Sequence, residues 1–130
     1  MVFSFEGKTF RFSLVSVYDG DTCTLTFHHD DSDDPVFKAG ARTTWNCRLC
    51  GINCPEMRPP LMTADRDQMI NLAVAARDRL SDLLQKDAWV ASCQKFDKYG
   101  RVLVSLKRDS DGKTATDILL AEGHGSEYKM

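Results

Sequence analysis

Three separated segments of the chain carry polar residues whose types suit phosphate and metal chemistry. They are residues 18–22 (YDGDT), 48–56 (RLCGINCPE) and 97–101 (DKYGR). Arg48 and Arg101 each present a permanently charged, planar guanidinium whose donors match a phosphate in a two-pronged contact. Arg48 lies between Cys47 and Leu49 in an apolar stretch, where a charge is costly unless it is paired or faces a pocket.

Two acidic residues in the same segments add the remaining parts of a hydrolytic site. Glu56 can orient or polarise an attacking water, and Asp21 offers an anionic oxygen to a hard cation such as Ca²⁺. Phosphodiester hydrolysis needs neutralised phosphate oxygens, a positioned water and a hard cation. The three segments together therefore indicate a phosphodiester-cleaving site.

Each residue alone has an ordinary explanation. A single Arg or Glu at the end of a strand is usually solvated or ion-paired on the surface. Residues 19–21 could form only a hairpin turn, in which Asp19 has no further role and Asp21 caps the turn. Residues 98–100 could be a plain turn with an exposed lysine. The hypothesis depends on all three segments occurring together.

The order and spacing of the three segments resemble the staphylococcal-nuclease family. Its marks are a strand ending in DGDT, an R-x-x-G-I-x-x-P-E stretch and DKYGR before the last barrel strand, and the likeness runs from about residue 15 to residue 123. The resemblance implies roles for eight positions of this chain: Arg48, Glu56 and Arg101 as catalytic residues; Asp21, Asn53 and the backbone carbonyl of Cys54 as Ca²⁺ ligands; Lys98 and Tyr99 as contacts of the nucleotide's terminal phosphate.

The elements that must position these residues follow from hydrophobic patterning and turn signals. Strands are predicted at residues 8–17, 23–27, 43–52, 88–94 and 101–107, an exposed acidic loop at 28–40, a long helix at 65–85, and a short helix at 115–122 that ends at Gly123. This order predicts a mainly β protein with helices, a five-stranded Greek-key OB barrel with the long helix after the third strand and a short C-terminal helix. A ferredoxin-like sandwich is the alternative, but a tight Asp-Gly turn stands where its first helix would be. Residues 1–130 are predicted to form a single domain.

Periodicity also predicts which side chains face the core. In the first strand, Phe10, Phe12 and Leu14 share one face, and Val15 and Val17 share the other. In the long helix, one apolar stripe is formed by Met69, Ala73, Ala76, Leu80 and Leu83 or Leu84. Thr63 or Asp65 is the expected N-cap of this helix.

Composition restricts the possible partners and compartments. The chain has 130 residues, 42% hydrophobic and 28% charged, with a net charge of −2 and a pI of about 5.9. Phosphate affinity comes largely from Lys and Arg, so a nucleic-acid site must be a local patch on an acidic protein. The sequence shows no secretion signal and no run long enough to span a bilayer. Five cysteines favour a reducing compartment, so we expect an intracellular monomer, cytoplasmic or nuclear, that does not bind membranes.

Two other groups of residues resemble metal sites, and the sequence argues against both. Cys47, Cys50 and Cys54 have a spacing similar to that of a zinc or iron–sulfur site, but residues three apart on an extended strand point to opposite faces. The acidic loop at 28–40, which begins with His28 and His29, could bind a cation, but its spacing fits no known calcium loop. We expect it to be solvated, and it could repel nucleic acid.

The leading hypothesis is a nuclease that cuts single-stranded or frayed DNA, or RNA, with little sequence preference. The family resemblance implies products with 3′-phosphorylated ends. The alternative is an inactive OB module that only binds nucleic acid or protein, which the acidic pI and a neutral Asn53 favour and the intact Arg48, Glu56 and Arg101 oppose. A purely structural subunit would leave both arginines without a function. The family carries tyrosines near the site in its C-terminal segment, and the sequence leaves open whether Tyr128 reaches it.

The family usually has Asp where this chain has Asn53, which keeps a carbonyl oxygen but lacks the charge. Ligand charge tunes calcium affinity. We therefore expect Asn53→Asp to lower the Ca²⁺ concentration that gives half-maximal cleavage of single-stranded DNA. An unchanged calcium dependence would contradict the assignment of residue 53 as a ligand.

Overall fold

The computed structural model describes residues 3–129, and five strands of this part close into a barrel. The elements run in the order β1 (Thr9–Asp19), β2 (Thr22–His29), β3 (Ala41–Leu49), β4 (Ile52–Asn53), α1 (Arg66–Lys86), β5 (Trp89–Phe96), β6 (Val102–Arg108), α2 (Ala115–Ala121) and β7 (Ser126–Glu127). Around the barrel the strand order is β1-β2-β3-β6-β5, and β1 pairs with β5 to close it. The pairs are antiparallel except β3 with β6. This architecture is consistent with an OB-fold and confirms the predicted fold class.

The barrel interior is filled by alternate residues of its strands. In β2, Cys23, Leu25 and Phe27 are buried, and the threonines between them face outwards. Phe5 enters the barrel from the N-terminal segment, with its ring centroid 5.5 Å from that of Phe27 and 5.0 Å from that of Trp45. This apolar interior is the rigid support for the polar residues at the strand ends.

Two irregularities in β1 change the predicted faces of its second half. The register with β2 shifts between Leu14 and Ser16 and again between Val17 and Asp19. A bulge places an extra residue in one strand and reverses the alternation beyond it. Val15 is consequently exposed while Val17 packs on the core, so the prediction that both share a face was wrong.

The third strand is shorter than predicted. Residues 43–52 were expected to form one strand, but β3 ends at Leu49 and the chain turns at Cys50 and Gly51. Gly51 has a φ of 82°, a conformation that other residues rarely adopt. The chain resumes as β4, which pairs with β7 near the C-terminus. Cys50 is therefore in a turn, and the argument that placed it on an extended strand with Cys47 does not apply.

The segment predicted as the loop 28–40 begins later than expected, because β2 continues through His29. His29 is buried, its Nε2 lies 2.7 Å from Thr43 Oγ1, and its ring lies 4.8 Å from Phe10 and 4.7 Å from Phe37 between centroids. Burial lowers its pKa. His29 is thus a core residue, not a free ligand for a cation in the acidic loop.

The helices cover the barrel much as predicted. The buried side of α1 is the expected stripe, comprising Ala73, Ala76, Leu80, Leu83 and Leu84, with Met69 only half-buried. Asp65 occupies the N-cap position with a φ of 53°, but its side chain makes no capping hydrogen bond. In α2, Thr114 Oγ1 accepts a hydrogen bond from the Asp117 amide, and Gly123 follows with a φ of 79°. Within residues 3–129, neither helix has the length and apolarity needed to cross a bilayer.

Gly20 sets how closely the β1–β2 turn approaches α1. A Cβ at this position would lie 2.7 Å from Ala76 Cβ and 2.8 Å from Cys54 Sγ. Both distances are too short for non-bonded atoms, so only glycine lets the turn rest against the helix and the loop after β4. This contact fixes Asp19 and Asp21 relative to the rest of the molecule.

We expect Gly20→Ala to lower the free energy of unfolding by about 1–3 kcal/mol, because the added methyl group forces the turn away from α1. Urea denaturation followed by circular dichroism measures the change. In the double variant Gly20→Ala/Ala76→Gly, the shorter of the two clashes is absent. Its decrease in the free energy of unfolding should therefore be smaller than the sum of the decreases in the two single variants. A Gly20→Ala protein as stable as the original would contradict the tight contact.

Candidate active site

One open end of the barrel contains a cleft of about 400 Å³ to which five separate segments contribute. They are the β1–β2 turn, the end of β3, the loop after β4, the β5–β6 turn and the C-terminal segment. All eight residues predicted from the sequence line this cleft: Asp21, Arg48, Asn53, Cys54, Glu56, Lys98, Tyr99 and Arg101. Asp19, Thr22, Asp97 and Tyr128 complete the lining.

Asp21 joins three of these segments. Its Oδ2 accepts a hydrogen bond from the Cys54 amide at 2.8 Å and lies 3.4 Å from Arg48 Nη1. Its Oδ1 accepts from Thr22 Oγ1 at 3.0 Å, and its backbone carbonyl accepts from the Leu49 amide. The side chain is 7% exposed, so these charge-assisted contacts are largely desolvated.

Arg48 is held rigidly despite its charge. Its side chain is 9% exposed, and Nη1 donates to the carbonyls of Leu49 at 2.9 Å and Ile52 at 2.8 Å. Nη2 makes a longer contact of 3.4 Å with Asn53 Oδ1. The carbonyls become available because the chain turns after β3. Sequence analysis expected that a charge here must be paired or face a pocket, and Arg48 meets both conditions.

Arg101 is positioned by Asp97, which lies in the same β5–β6 turn. Arg101 Nε donates to Asp97 Oδ2 at 2.7 Å, and the amides of Tyr99 and Arg101 donate to Asp97 Oδ1 at 2.9 Å. Burial raises the pKa of Asp97, but hydrogen bonds from the Arg101 amide and side chain outweigh it and hold the pKa below its ordinary value. Within residues 3–129 the Nη groups of Arg101 make no hydrogen bond, so they can receive an anion.

The remaining lining residues form the outer rim. Glu56 is exposed and lies in the loop that Pro55 begins. Tyr99 is 71% exposed, and its ring centroid lies 5.1 Å from Lys98 Nζ and 5.3 Å from Arg101 Cζ. Tyr128 faces Arg48, with 5.6 Å between its ring centroid and the guanidinium carbon. The rim thus combines aromatic surfaces with positive charge.

Two other cavities lack this combination of groups. A cavity of about 600 Å³ lies beside the acidic loop, and one of about 520 Å³ lies between α1 and the proline-rich loop after β4. The first contains four aspartates of the loop, and the second is mainly apolar. Neither brings two guanidinium groups together. We therefore identify the cleft as the candidate site by its chemical groups and not by its volume.

Asp19 and Asp21 form a buried pair of like charges beside Arg48. Burial and the Asp21 carboxylate raise the pKa of Asp19 to about 6, and its Oδ1 accepts a hydrogen bond from the Asp21 amide. A cation between them would relieve this repulsion. Asn53 and Cys54 line the same cleft, and the groups that they and the two aspartates can offer to a hard cation are carboxylate, amide and backbone carbonyl oxygens. Such a set fits Ca²⁺ better than zinc. Within residues 3–129, no three His, Cys, Asp or Glu side chains cluster to hold a metal by themselves.

Comparison with known protein families agrees with this geometry. A family model described as "Staphylococcal nuclease homologue" matches residues 46–130, more than half of the chain. The chain belongs to this family. No curated protein matches the sequence. In this staphylococcal nuclease homologue the matched region contains both arginines and Glu56, and the β1–β2 turn that supplies Asp19 and Asp21 lies before it. The fold joins the turn to the matched region through the Asp21–Cys54 hydrogen bond.

Sequence reasoning gave no role in the site to Asp19, Thr22 or Asp97, and it left open whether Tyr128 reaches the cleft. Asp19 was interpreted as part of a turn, but it is buried against Asp21. Asp97 was not given a role, although a carboxylate four residues before an arginine in a tight turn is a signal for the contact seen here. Tyr128 reaches the cleft because its amide donates to the Gly51 carbonyl and β7 pairs with β4. No local pattern indicates this long-range pairing.

The raised pKa of Asp19 makes its ionisation unfavourable in the folded state. The carboxyl stays neutral up to a pH of about 6 when folded but ionises near its ordinary value of 3.8 when unfolded. The folded state therefore loses stability as the pH rises from 3.8 to about 6, and the loss is complete above that range. We expect Asp19→Asn to raise the free energy of unfolding by about 1–3 kcal/mol at pH 8 without metal, and to have little effect at pH 4.

Urea denaturation at the two pH values, with calcium chelated, measures this difference. The matched control is Asp31→Asn, which removes an exposed carboxylate from the acidic loop and should change stability little at either pH. Loss of stability in Asp19→Asn at pH 8 would contradict the repulsion between the two carboxylates.

Proposed function

We propose that this staphylococcal nuclease homologue is a Ca²⁺-dependent phosphodiesterase that hydrolyses DNA or RNA with little sequence preference and leaves 3′-phosphorylated ends. The observation that carries the proposal is the convergence of Arg48, Arg101 and Glu56 on one cleft beside Asp21. The 3′-phosphorylated ends of the products are inferred from the resemblance to the family. A single domain over residues 1–130, a monomeric state and an intracellular location stay predictions.

The two arginines would act on the phosphate. The carbonyls of Leu49 and Ile52 hold the Arg48 guanidinium. Asp97 fixes Arg101 through Nε, which leaves the Nη groups without a hydrogen bond among residues 3–129. Charges fixed in this way before the substrate arrives stabilise the negative charge that grows on the phosphate oxygens, and they do so without reorganisation. Contacts of this kind are made to the phosphates of the nucleic acid and do not distinguish one base from another.

Glu56 would position and deprotonate the attacking water. It is exposed on the cleft wall and, among the described residues, accepts no hydrogen bond, so it can turn towards a bound phosphate. Ca²⁺, when bound to Asp21 with the oxygens of Asn53 and Cys54, would supply positive charge against the phosphate and the attacking water. The protein's own part is to bring Glu56 and the two arginines to one cleft, where they can contact the same phosphate.

Lys98, Tyr99 and Tyr128 would hold the rest of the nucleotide. Lys98 can contact a terminal phosphate as a point charge. The exposed ring of Tyr99 and the half-exposed ring of Tyr128 offer stacking surfaces to any base. Such contacts tolerate every base, which fits weak sequence preference.

An inactive nucleic-acid-binding module remains the second candidate function, and one observation favours it. Both carboxylate oxygens of Asp21 already accept hydrogen bonds from the protein, and Asn53 adds no charge. A cation must compete with these donors. A protein that binds DNA equally well with and without Ca²⁺ and never cleaves it would support this alternative.

The deciding experiment incubates single-stranded DNA with the protein in Ca²⁺ or in a chelator. We expect cleavage only with Ca²⁺. Arg48→Lys, Glu56→Gln and Arg101→Lys should each lower the rate by about 100-fold or more, because each removes a contact made chiefly in the transition state. Denaturation curves confirm that the variants fold.

Arg108→Lys is the matched control, since Arg108 lies at the other end of β6 from Arg101 and pairs with Asp111. It should keep its activity within about twofold. Cleavage that survives chelation, or that withstands all three cleft substitutions, would contradict the proposal.

A further inference from the structure

The turn at residues 49–52, between β3 and β4, carries the two carbonyls that hold Arg48. The carbonyls of Leu49 and Ile52 stand at the ends of this turn and accept hydrogen bonds from Arg48 Nη1 at 2.9 and 2.8 Å. In the middle of the turn, the Cys50 carbonyl accepts a hydrogen bond from Thr116 Oγ1 at 2.8 Å. Thr116 lies 66 positions further along the chain, in α2. A side chain of α2 therefore contacts the turn on which the placement of the Arg48 guanidinium depends.

The other attachments of this turn are made by backbone groups. The Cys50 amide donates to the Val104 carbonyl of β6 at 2.9 Å, and the Gly51 carbonyl accepts from the Tyr128 amide at 3.1 Å. Within residues 3–129, Thr116 supplies the only side-chain hydrogen bond to the turn apart from those of Arg48. A substitution of Thr116 can therefore release one attachment of the turn while the backbone attachments stay in place.

Thr116 itself is held in place by the start of α2. The preceding residue, Ala115, is fully buried, and the N-cap residue Thr114 accepts a hydrogen bond from the Asp117 amide at 3.1 Å. A Cβ on Gly51 would lie 3.5 Å from Thr116 Cγ2, so the methyl group of Thr116 also packs against the turn. Both branches of the Thr116 side chain thus contact the turn that holds Arg48.

Thr116 lies outside the cleft. Among the described residues it is not part of the cleft lining, so it makes no contact with a phosphate bound there. Arg48 does line the cleft, and its side chain is 9% exposed, so its position is set by the groups packed around it. A misplacement of about 1 Å in a group that contacts the reacting atoms can cost about 100-fold in rate. Any effect of Thr116 on cleavage must therefore act through the turn and Arg48.

We propose that Thr116 is a positioning residue for Arg48. Its hydroxyl group fixes the Cys50 carbonyl, and this contact sets the direction of the neighbouring carbonyls of Leu49 and Ile52, to which the guanidinium donates. The consequence for cleavage rests on the nuclease function proposed for the cleft. The placement of Arg48 is a property of the protein alone and can be measured without metal or nucleic acid.

Thr116→Val tests the hydroxyl group, because valine keeps the shape and the methyl contact but cannot donate to the Cys50 carbonyl. With single-stranded DNA and Ca²⁺, we expect kcat to fall by about tenfold and KM to stay within about twofold of wild type, since Arg48 acts chiefly on the transition state. Thr116→Ser restores the donor and should keep kcat within about threefold of wild type.

Two further variants separate positioning from general loss of stability. Thr114→Val makes the same chemical change at the N-cap of the same helix, where it removes the hydrogen bond from the Asp117 amide. Urea denaturation should show that it destabilises the protein at least as much as Thr116→Val, yet its kcat should stay within about twofold of wild type. In an Arg48→Lys background, Thr116→Val should lower kcat by less than about twofold, because the group that it positions is already absent.

The placement of Arg48 can be followed by NMR on protein labelled with ¹⁵N-arginine, in chelator and without nucleic acid. Rotation of the Arg48 guanidinium about its Cζ–Nη1 bond must break the hydrogen bonds to two carbonyls, so it should be slow in the wild-type protein. Loss of the Arg48 signals in Arg48→Lys assigns them. We expect Thr116→Val to accelerate this rotation and Thr114→Val to leave it unchanged.

Three results would overturn the proposal: equal losses of kcat in Thr116→Val and Thr114→Val, a full loss from Thr116→Val in the Arg48→Lys background, or unchanged rotation of the Arg48 guanidinium in Thr116→Val. A protein that shows the expected rotation rates but cleaves nothing in Ca²⁺ refutes the nuclease function and leaves Thr116 as the residue that positions Arg48. A protein that cleaves, but in which Thr116→Val changes neither kcat nor rotation, refutes only the role of Thr116.

Discussion

The Asp21 carboxylate is the contact on which the arrangement of the cleft depends. Its Oδ2 accepts from the Cys54 amide and faces Arg48, so one buried group ties the β1–β2 turn, the end of β3 and the loop after β4 together. Gly20 makes this contact possible because its lack of a side chain lets the turn lie against α1 and Cys54. A buried charge pair of this kind adds little net stability, but breaking it leaves the other charge uncompensated. The contact therefore specifies geometry more than it stabilises the fold.

The Asp21 carboxylate also repels the Asp19 carboxylate, and a bound cation would reduce this repulsion. Asp19 and Asp21 lie together in a largely desolvated turn, and Arg48 offsets only part of their charge because two backbone carbonyls share its donors. Asn53 keeps an oxygen near this pair without adding a third carboxylate. A site with two carboxylates binds Ca²⁺ less strongly than one with three. Under the proposed function, we therefore expect Ca²⁺ to bind more weakly here than the family pattern implies.

The sequence predicted the barrel from local signals, and local signals together with the family resemblance selected eight positions that the structure brings to one cleft. Alternation in β2, the apolar stripe of α1 and turn residues at fixed offsets indicate elements, and the three motifs mark the ends of those elements. The failures have non-local causes. Bulges separated Val15 from Val17, and the turn at Gly51 ended β3 early. Tyr128 reaches the cleft through the pairing of β4 with β7, residues more than 70 positions apart. Asp19 could not be distinguished from an ordinary turn residue without its burial.

The central claim is that one phosphate binds between Arg48 and Arg101 with a cation against Asp21. The most direct measurement is a crystal structure of the Glu56→Gln protein with Ca²⁺ and a short single-stranded oligonucleotide, since this variant should bind substrate without turning it over. The account predicts a phosphate in contact with both guanidinium groups and Ca²⁺ on the Asp21 carboxylate. An oligonucleotide bound elsewhere on the barrel, with Ca²⁺ absent from Asp21, would contradict it.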